Sequence, residues 1–144
     1  MKRILISACL LGEKCRYDGR SKSNLEALRL GAKYELVPVC PEVLGGLPTP
    51  RKPSEINGER VVMVDGTDVT CQYRAGAEKA LKIAFENGCT TAVLKARSPS
   101  CGKRYVYDGT YTGTLTFGNG ITTKLLLANG ITVYDETEIN NLEL

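Results

Sequence analysis

The 144-residue chain contains no histidine, which removes the commonest general base near neutral pH and the commonest zinc and copper ligand. Ser-His and Cys-His triads are thereby excluded, as is every mixed Cys/His zinc site. Proton transfer is left to carboxylates, lysines, tyrosines, thiols or water, and the cysteines must act alone or as an all-sulfur set. No apolar stretch approaches the roughly twenty residues of a membrane span, and the apolar run at the start is too short for a secretory signal. A cytoplasmic protein with no membrane partner is expected. Nineteen basic against sixteen acidic residues give a net charge of only +3, with no basic run. The electrostatic footprint of a nucleic-acid binder is missing, and no nucleic-acid partner is expected. Internal repeats and low-complexity tracts are absent, and so is any Cys-x-x-Cys pair, the short spacing from which closed structural zinc sites usually draw ligands.

What is present is enough for one core. With 42% hydrophobic residues in 144, residues 1–144 read as a single α/β domain. Lys2–Ala8 is an apolar, strand-like run, and Ser21–Asn24 offers caps for a short helix, Leu25–Leu30, that Gly31 can end. Tyr34–Val39 reads as a second strand. The glycine- and proline-dense stretch Cys40–Arg51 reads as a long, shaped loop, and Asn57-Gly58 ahead of Val61–Val64 signals a small antiparallel excursion with a structural role. Thr67–Thr70 supplies caps for the longest helical pattern, 69–87, closed by Gly88. A third strand spans 90–95, a Gly/Thr/Tyr-rich stretch runs from Tyr107 to Gly120, a last helix covers Ile121–Ala128, and a final strand covers 131–134. This alternation predicts a three-layer fold with a mainly parallel sheet, Rossmann-like or flavodoxin-like.

The chain has six cysteines, and in a reducing compartment that number argues for metal binding or catalysis more than for disulfides. Cys9, Cys40 and Cys101 each sit just past a strand-like run. Loops that follow the strands of an open parallel sheet share one edge, where ligands collect. Three thiolates can therefore meet although about thirty and about sixty residues separate them in the chain, the scale of successive βαβ units. Cys15 lies in the same kind of loop. Cys71, within the long helix, and Cys89, just after it, are expected to be plain core residues, because free cysteine is among the most buried residue types.

Three motifs carry a resemblance. Ser7-Ala8-Cys9-Leu10-Leu11-Gly12 with Cys15-Arg16-Tyr17-Asp18-Gly19, then Cys40-Pro41-Glu42 with Gly45-Gly46-Leu47 and Pro50-Arg51, then Lys95-Ala96-Arg97-Ser98-Pro99-Ser100-Cys101-Gly102, together resemble the thiouracil desulfidase family of small bacterial iron-sulfur proteins over nearly the whole chain. The resemblance implies a 4Fe-4S cluster held by Cys9, Cys40 and Cys101, the three that the strand-end argument selects independently. It also implies a non-redox reaction, thiouracil and water giving uracil and hydrogen sulfide, with a small thiolated nucleobase as partner. Three protein ligands leave one iron open as a Lewis acid, unless Cys15 closes the fourth position.

Around that cluster Glu42, two residues after a ligand, is the candidate to activate water or protonate the substrate ring. A pairing with Arg51 or Arg16 is its plainer role. Ser98 and Ser100 flank Pro99, where a hydroxyl can bond a nucleobase edge or merely cap the turn; Ser98 is preferred. Lys95 can favour nearby thiolate or sulfide charge, and Arg16, Asp18 and Arg51 can orient the loops. Two other classes compete. One is a non-catalytic module in which Cys9, Cys15, Cys40 and Cys101 close an all-sulfur metal site. The other is a thiol redox enzyme using Cys9 and Cys15, which leaves Cys40 and Cys101 unexplained.

Overall fold

The computed structural model describes residues 2–142. Its elements run β1 (Arg3–Ser7), α1 (Leu25–Leu30), β2 (Glu35–Val39), α2 (Pro41–Leu44), β3 (Ser54–Asn57), β4 (Arg60–Met63), α3 (Thr70–Glu86), β5 (Thr91–Leu94), β6 (Tyr105–Tyr107), β7 (Leu115–Phe117), α4 (Ile121–Ala128) and β8 (Thr132–Asp135). The central sheet has the order β2-β1-β5-β8, and every pairing in it is parallel. Among the described residues no helix is long and apolar enough to cross a membrane.

Ile4, Leu5 and Ile6 of β1 form an apolar run because both faces of the strand are covered there, the usual condition of a central parallel strand. Ile4 and Ile6 pack with Ala27 and Leu30 of α1 and with Ile139 on one side. Leu5 packs with Ala84 of α3 and Leu126 of α4 on the other. Ile4, Leu5 and Ile6 are fully buried, each side chain worth about 1.5–3 kcal/mol of burial. The result is the expected three-layer arrangement, helices on both faces of a parallel sheet.

Local chemistry accounts for most boundaries. Asn24 caps α1, its Oδ1 accepting from the Ala27 amide at 3.0 Å, and α4 begins and ends where its pattern does. The Asn-Gly signal produces the β3–β4 hairpin, with Gly58 at φ 65°. Two expectations are corrected, those for Cys40–Arg51 and for Cys71. The Cys40–Arg51 stretch is not loop throughout, because Pro41 occupies the first helical position, where its missing N–H costs nothing, and starts α2. The Tyr107–Gly120 stretch contains β7, which pairs antiparallel with β6 and sets Tyr105 edge-on to Phe117 at 5.9 Å between ring centroids. Cys71 is exposed on α3 and belongs to no core, whereas Cys89 is buried. The β3–β4 hairpin, expected to be structural, also supplies Ser54 and Glu55 to the cavity lining.

α2 and α3 touch backbone to backbone. A Cβ on Gly76 of α3 would fall 1.8 Å from the Pro41 carbonyl oxygen, and one on Gly45, which ends α2, would fall 1.9 Å from that of Gln72. This contact seats the segment Cys40-Pro41-Glu42 against the longest helix.

Candidate functional site

The chain runs from β1 to β2 on one side of it and later to β5 on the other. The loops diverge there, and the crevice outside such a point is where open α/β sheets bind ligands. Cys9 lies in a short 3₁₀ turn, Ala8–Leu11, that follows β1 and is ended by Gly12 at φ 99°. Cys40 is the residue on which α2 starts, and Cys101 lies in the loop after β5. Cys9, Cys15, Cys40 and Cys101 all line one cavity of about 580 Å³.

The loop carrying Cys101 is pinned at several points. Ser7, the last residue of β1, accepts the Lys95 amide at 2.9 Å through Oγ, joining the two strand ends. Glu136 accepts the Ala96 amide at 2.7 Å and pairs with the Lys95 ammonium at 2.8 Å. Ser98 Oγ accepts the amides of Ser100 and Cys101 at 3.1 and 3.2 Å. A Cβ on Gly102 would fall 2.7 Å from the Ser98 carbonyl oxygen, so the turn closes only around glycine.

Glu42 and Ser98 meet across the cavity, the Ser98 hydroxyl donating to Glu42 Oε1 at 3.2 Å. Arg51 grips the other carboxylate oxygen through Nε at 2.9 Å and Nη2 at 2.6 Å, and Nη2 also donates to the Cys15 carbonyl at 3.0 Å. The pair is nearly dry, with side chains 3% and 13% exposed for Arg51 and Glu42. Burial opposes the Arg51 charge, but Glu42 more than restores it, and its guanidinium stays protonated. Tyr73, buried beside Glu42 and Ser54, keeps its phenol proton because burial, reinforced by the Glu42 charge, raises its titration. Ser98 thus both caps its turn and faces Glu42. Ser100 does not share this place: it is fully buried, shares its hydroxyl with Thr122 at 2.7 Å and is not part of the cavity lining. Arg16 pairs loosely with Asp18 at 3.9 Å and lies over the Tyr17 ring.

Cys15, Cys40 and Cys101 hold their thiol protons more tightly than a free cysteine does. The Cys101 thiol is pushed up to about 12, chiefly by burial and then by the Glu42 charge. Cys40 is raised by its contact with Cys15 and by burial. Contact with Cys40 lowers Cys15, but contact with Cys9 and burial outweigh it and leave that thiol at about 11. Neutral sulfurs pack together without repulsion, and a cation that replaces their protons converts them to ligands. An all-thiol, histidine-free set suits soft metals and iron-sulfur clusters. Among the described residues no three Cys, Asp or Glu side chains gather closely enough to hold a single ion. Four thiols on one cavity with no imidazole among them are the donor chemistry that an iron-sulfur cluster takes.

Sequence reasoning missed Ser54, Glu55, Tyr73, Tyr107 and Tyr111 as cavity residues. Tyr107 and Tyr111 stood in a stretch rich in glycine, threonine and tyrosine, and that composition was the available signal.

The sequence matches the family described as 2-thiouracil desulfurase over residues 4–138. YbbK, an uncharacterised protein of Bacillus subtilis (strain 168), is 39% identical over 149 aligned residues, spanning 96% of this chain and 99% of YbbK. A solved structure described as the 4Fe-4S-dependent thiouracil desulfidase TudS superposes with a TM-score of 0.94 at 45% identity, covering 99% of this chain and 95% of that one.

Proposed function

The chain belongs to the 2-thiouracil desulfurase family, and on that footing we propose that it is a cytoplasmic, one-domain enzyme that hydrolyses thiolated pyrimidines to the oxo base and hydrogen sulfide. The observation that carries this reading is the meeting, in one cavity, of Cys9, Cys40 and Cys101 with the Ser98–Glu42 hydrogen bond. The three cysteines would hold a 4Fe-4S cluster of the kind named for TudS, and that cluster, when bound, supplies a Lewis-acidic iron with affinity for the substrate's sulfur.

The remaining work falls to side chains. Glu42, oriented by the two Arg51 donors, presents Oε1 to the cavity with Ser98 as its neighbour. As a water oxygen bonds to the thiocarbonyl carbon, Glu42 takes a proton from it and the Ser98 hydroxyl hands a proton on toward the sulfur. The carbon–sulfur bond breaks with its electron pair on sulfur, both water protons end on hydrogen sulfide, and no electrons are exchanged. Lys95 and Arg97 at the rim add positive charge for a departing sulfide.

Anaerobically purified, iron-loaded protein is expected to release sulfide and uracil from 2-thiouracil or 4-thiouracil in equal amounts. An iron-loaded protein that releases none ends this reading. Glu42→Gln and Ser98→Ala are each expected to lower kcat by about 100-fold, the range for loss of a general acid–base group, with iron content unchanged. Retained kcat in both would remove these residues from the chemistry. A second reading, a closed four-thiol metal site, is favoured by the contact of buried Cys15 with Cys9 and Cys40. Iron retention in Cys15→Ser decides between them.

A further inference from the structure

Part of the cavity wall is built by neither the central sheet nor its helices. Ser54 and Glu55 come from β3, and Tyr107, Tyr111 and Gly113 come from the β6–β7 hairpin. These hairpins belong to different sheets, and Glu55 ties them together. Glu55 is 9% exposed, and its carboxylate accepts, through Oε1, the amides of Gly109 at 2.9 Å and Tyr111 at 3.1 Å. Gly109 permits the approach, since a Cβ there would fall 2.9 Å from the Ile56 carbonyl oxygen and its φ is +92°. Tyr111 has a left-handed φ of 58°, a conformation costly for a residue with a side chain. Its hydroxyl donates to the Val62 carbonyl at the far hairpin. Amide, backbone and hydroxyl thus hold Tyr111 at three points, and Tyr111 is among the residues that line the cavity.

A pocket that only held thiolates would have no use for an aromatic ring fixed at such conformational cost. Planar heterocycles stack on aromatic side chains, and a platform that does not move keeps them in register. We infer that Tyr111 is a specificity-determining residue, its ring the stacking face for the substrate's planar base, and that Glu55 is the positioning residue that holds it there. This inference rests on the desulfidase reading, which makes the substrate a thiolated pyrimidine.

Uracil binding to the anaerobically purified, iron-loaded protein is measured by calorimetry in the wild type, Tyr111→Phe, Tyr111→Ala, Glu55→Ala and the double alanine variant, beside KM and kcat for 2-thiouracil. Tyr111→Ala is expected to weaken uracil binding and raise KM about tenfold, the order of one lost base–aromatic stack. Because the stack serves ground and transition states alike, kcat is expected to stay within about twofold. Tyr111→Phe keeps the ring but loses the hydroxyl anchor to Val62, and its KM is expected to lie between those of the wild type and Tyr111→Ala. Glu55→Ala repeats the Tyr111→Ala effect, and the double variant is no worse than either single one, the signature of two residues acting through one contact. Unchanged uracil affinity in Tyr111→Ala, a loss in kcat in place of KM, or additive effects in the double variant would overturn the inference. Should the wild type release no sulfide, the desulfidase reading falls, and calorimetry still decides: Tyr111-dependent uracil binding upholds the aromatic platform, and absence of uracil binding in the wild type removes it.

Discussion

Replacing Cys101 by serine is expected to leave the fold standing and to strip the protein of both iron and sulfide release. Cys101 is 5% exposed and packs in the core cluster with Leu94 and Leu126. Serine is close to it in size, and the hydroxyls of Ser7 and Ser100 lie near enough to influence the thiol, so the new hydroxyl has polar neighbours. Stability of the metal-free protein should change by no more than about 1–2 kcal/mol, the ordinary range for a point substitution. Metal affinity responds differently, because a protonated hydroxyl is a poor ligand for a soft site that selects thiolate. Losing an outer partner of a ligand typically costs about 10- to 100-fold in affinity or activity, and losing the ligand itself should exceed that. Iron per chain, the brown colour of the anaerobic protein and sulfide release are measured together. Cys15→Ser, run in parallel, is expected to keep its iron. If it loses iron as fully as Cys101→Ser, the site is closed by four thiols and the catalytic reading fails.

Gly76→Ala is expected to be the most damaging exchange away from the cavity. In an unconstrained helix it would stabilise by about 1 kcal/mol. Here the new Cβ would fall 1.8 Å from the Pro41 carbonyl oxygen, and backbone has no alternative rotamer to adopt. Overpacking a core usually costs about 1–3 kcal/mol; a backbone clash with the helix bonus offset should cost about 3 kcal/mol net, or roughly 10 °C in melting temperature for a chain of this size. The displaced segment is Cys40-Pro41-Glu42, so iron content and activity should fall as well. Gly58→Ala is the control, because nothing lies near its Cβ and only its φ of +65° is penalised. A melting temperature for Gly76→Ala equal to that of the wild type would show that α2 is not held as described.

The part of the site that could be read in the sequence is the part built by strand ends. Apolar runs announce strands, a parallel sheet places the loops after them on one edge, and Cys9, Cys40 and Cys101 follow from that without knowledge of any side-chain contact. Between Ser98 and Ser100 the choice was finer. Pro99 separates them by one residue, yet one hydroxyl faces Glu42 and the other is consumed by Thr122, a difference set by a tertiary contact with α4. The pairing of Glu42 with Arg51 was foreseen as the plain alternative to a chemical role, and it is present: one carboxylate oxygen accepts from Arg51 and the other from the Ser98 hydroxyl. α2 was hidden because its four residues lie among glycines and prolines that read as loop. The second wall was hidden for another reason. Glu55 and Tyr111 are 56 positions apart, on short hairpins whose docking no local pattern encodes.

The strand order of the sheet also dictates when the site comes into being. β1 must wait for β5, some eighty residues downstream, before Leu5 meets Ala92 and Ile6 meets Val93, and such distant pairings close late. Cys9 and Cys101 follow β1 and β5, so the pairing that joins those strands is also what brings these two cysteines together. Loading is then expected to follow folding, into a pocket where Cys9, Cys15 and Cys101 are already buried and Cys40 is half-buried.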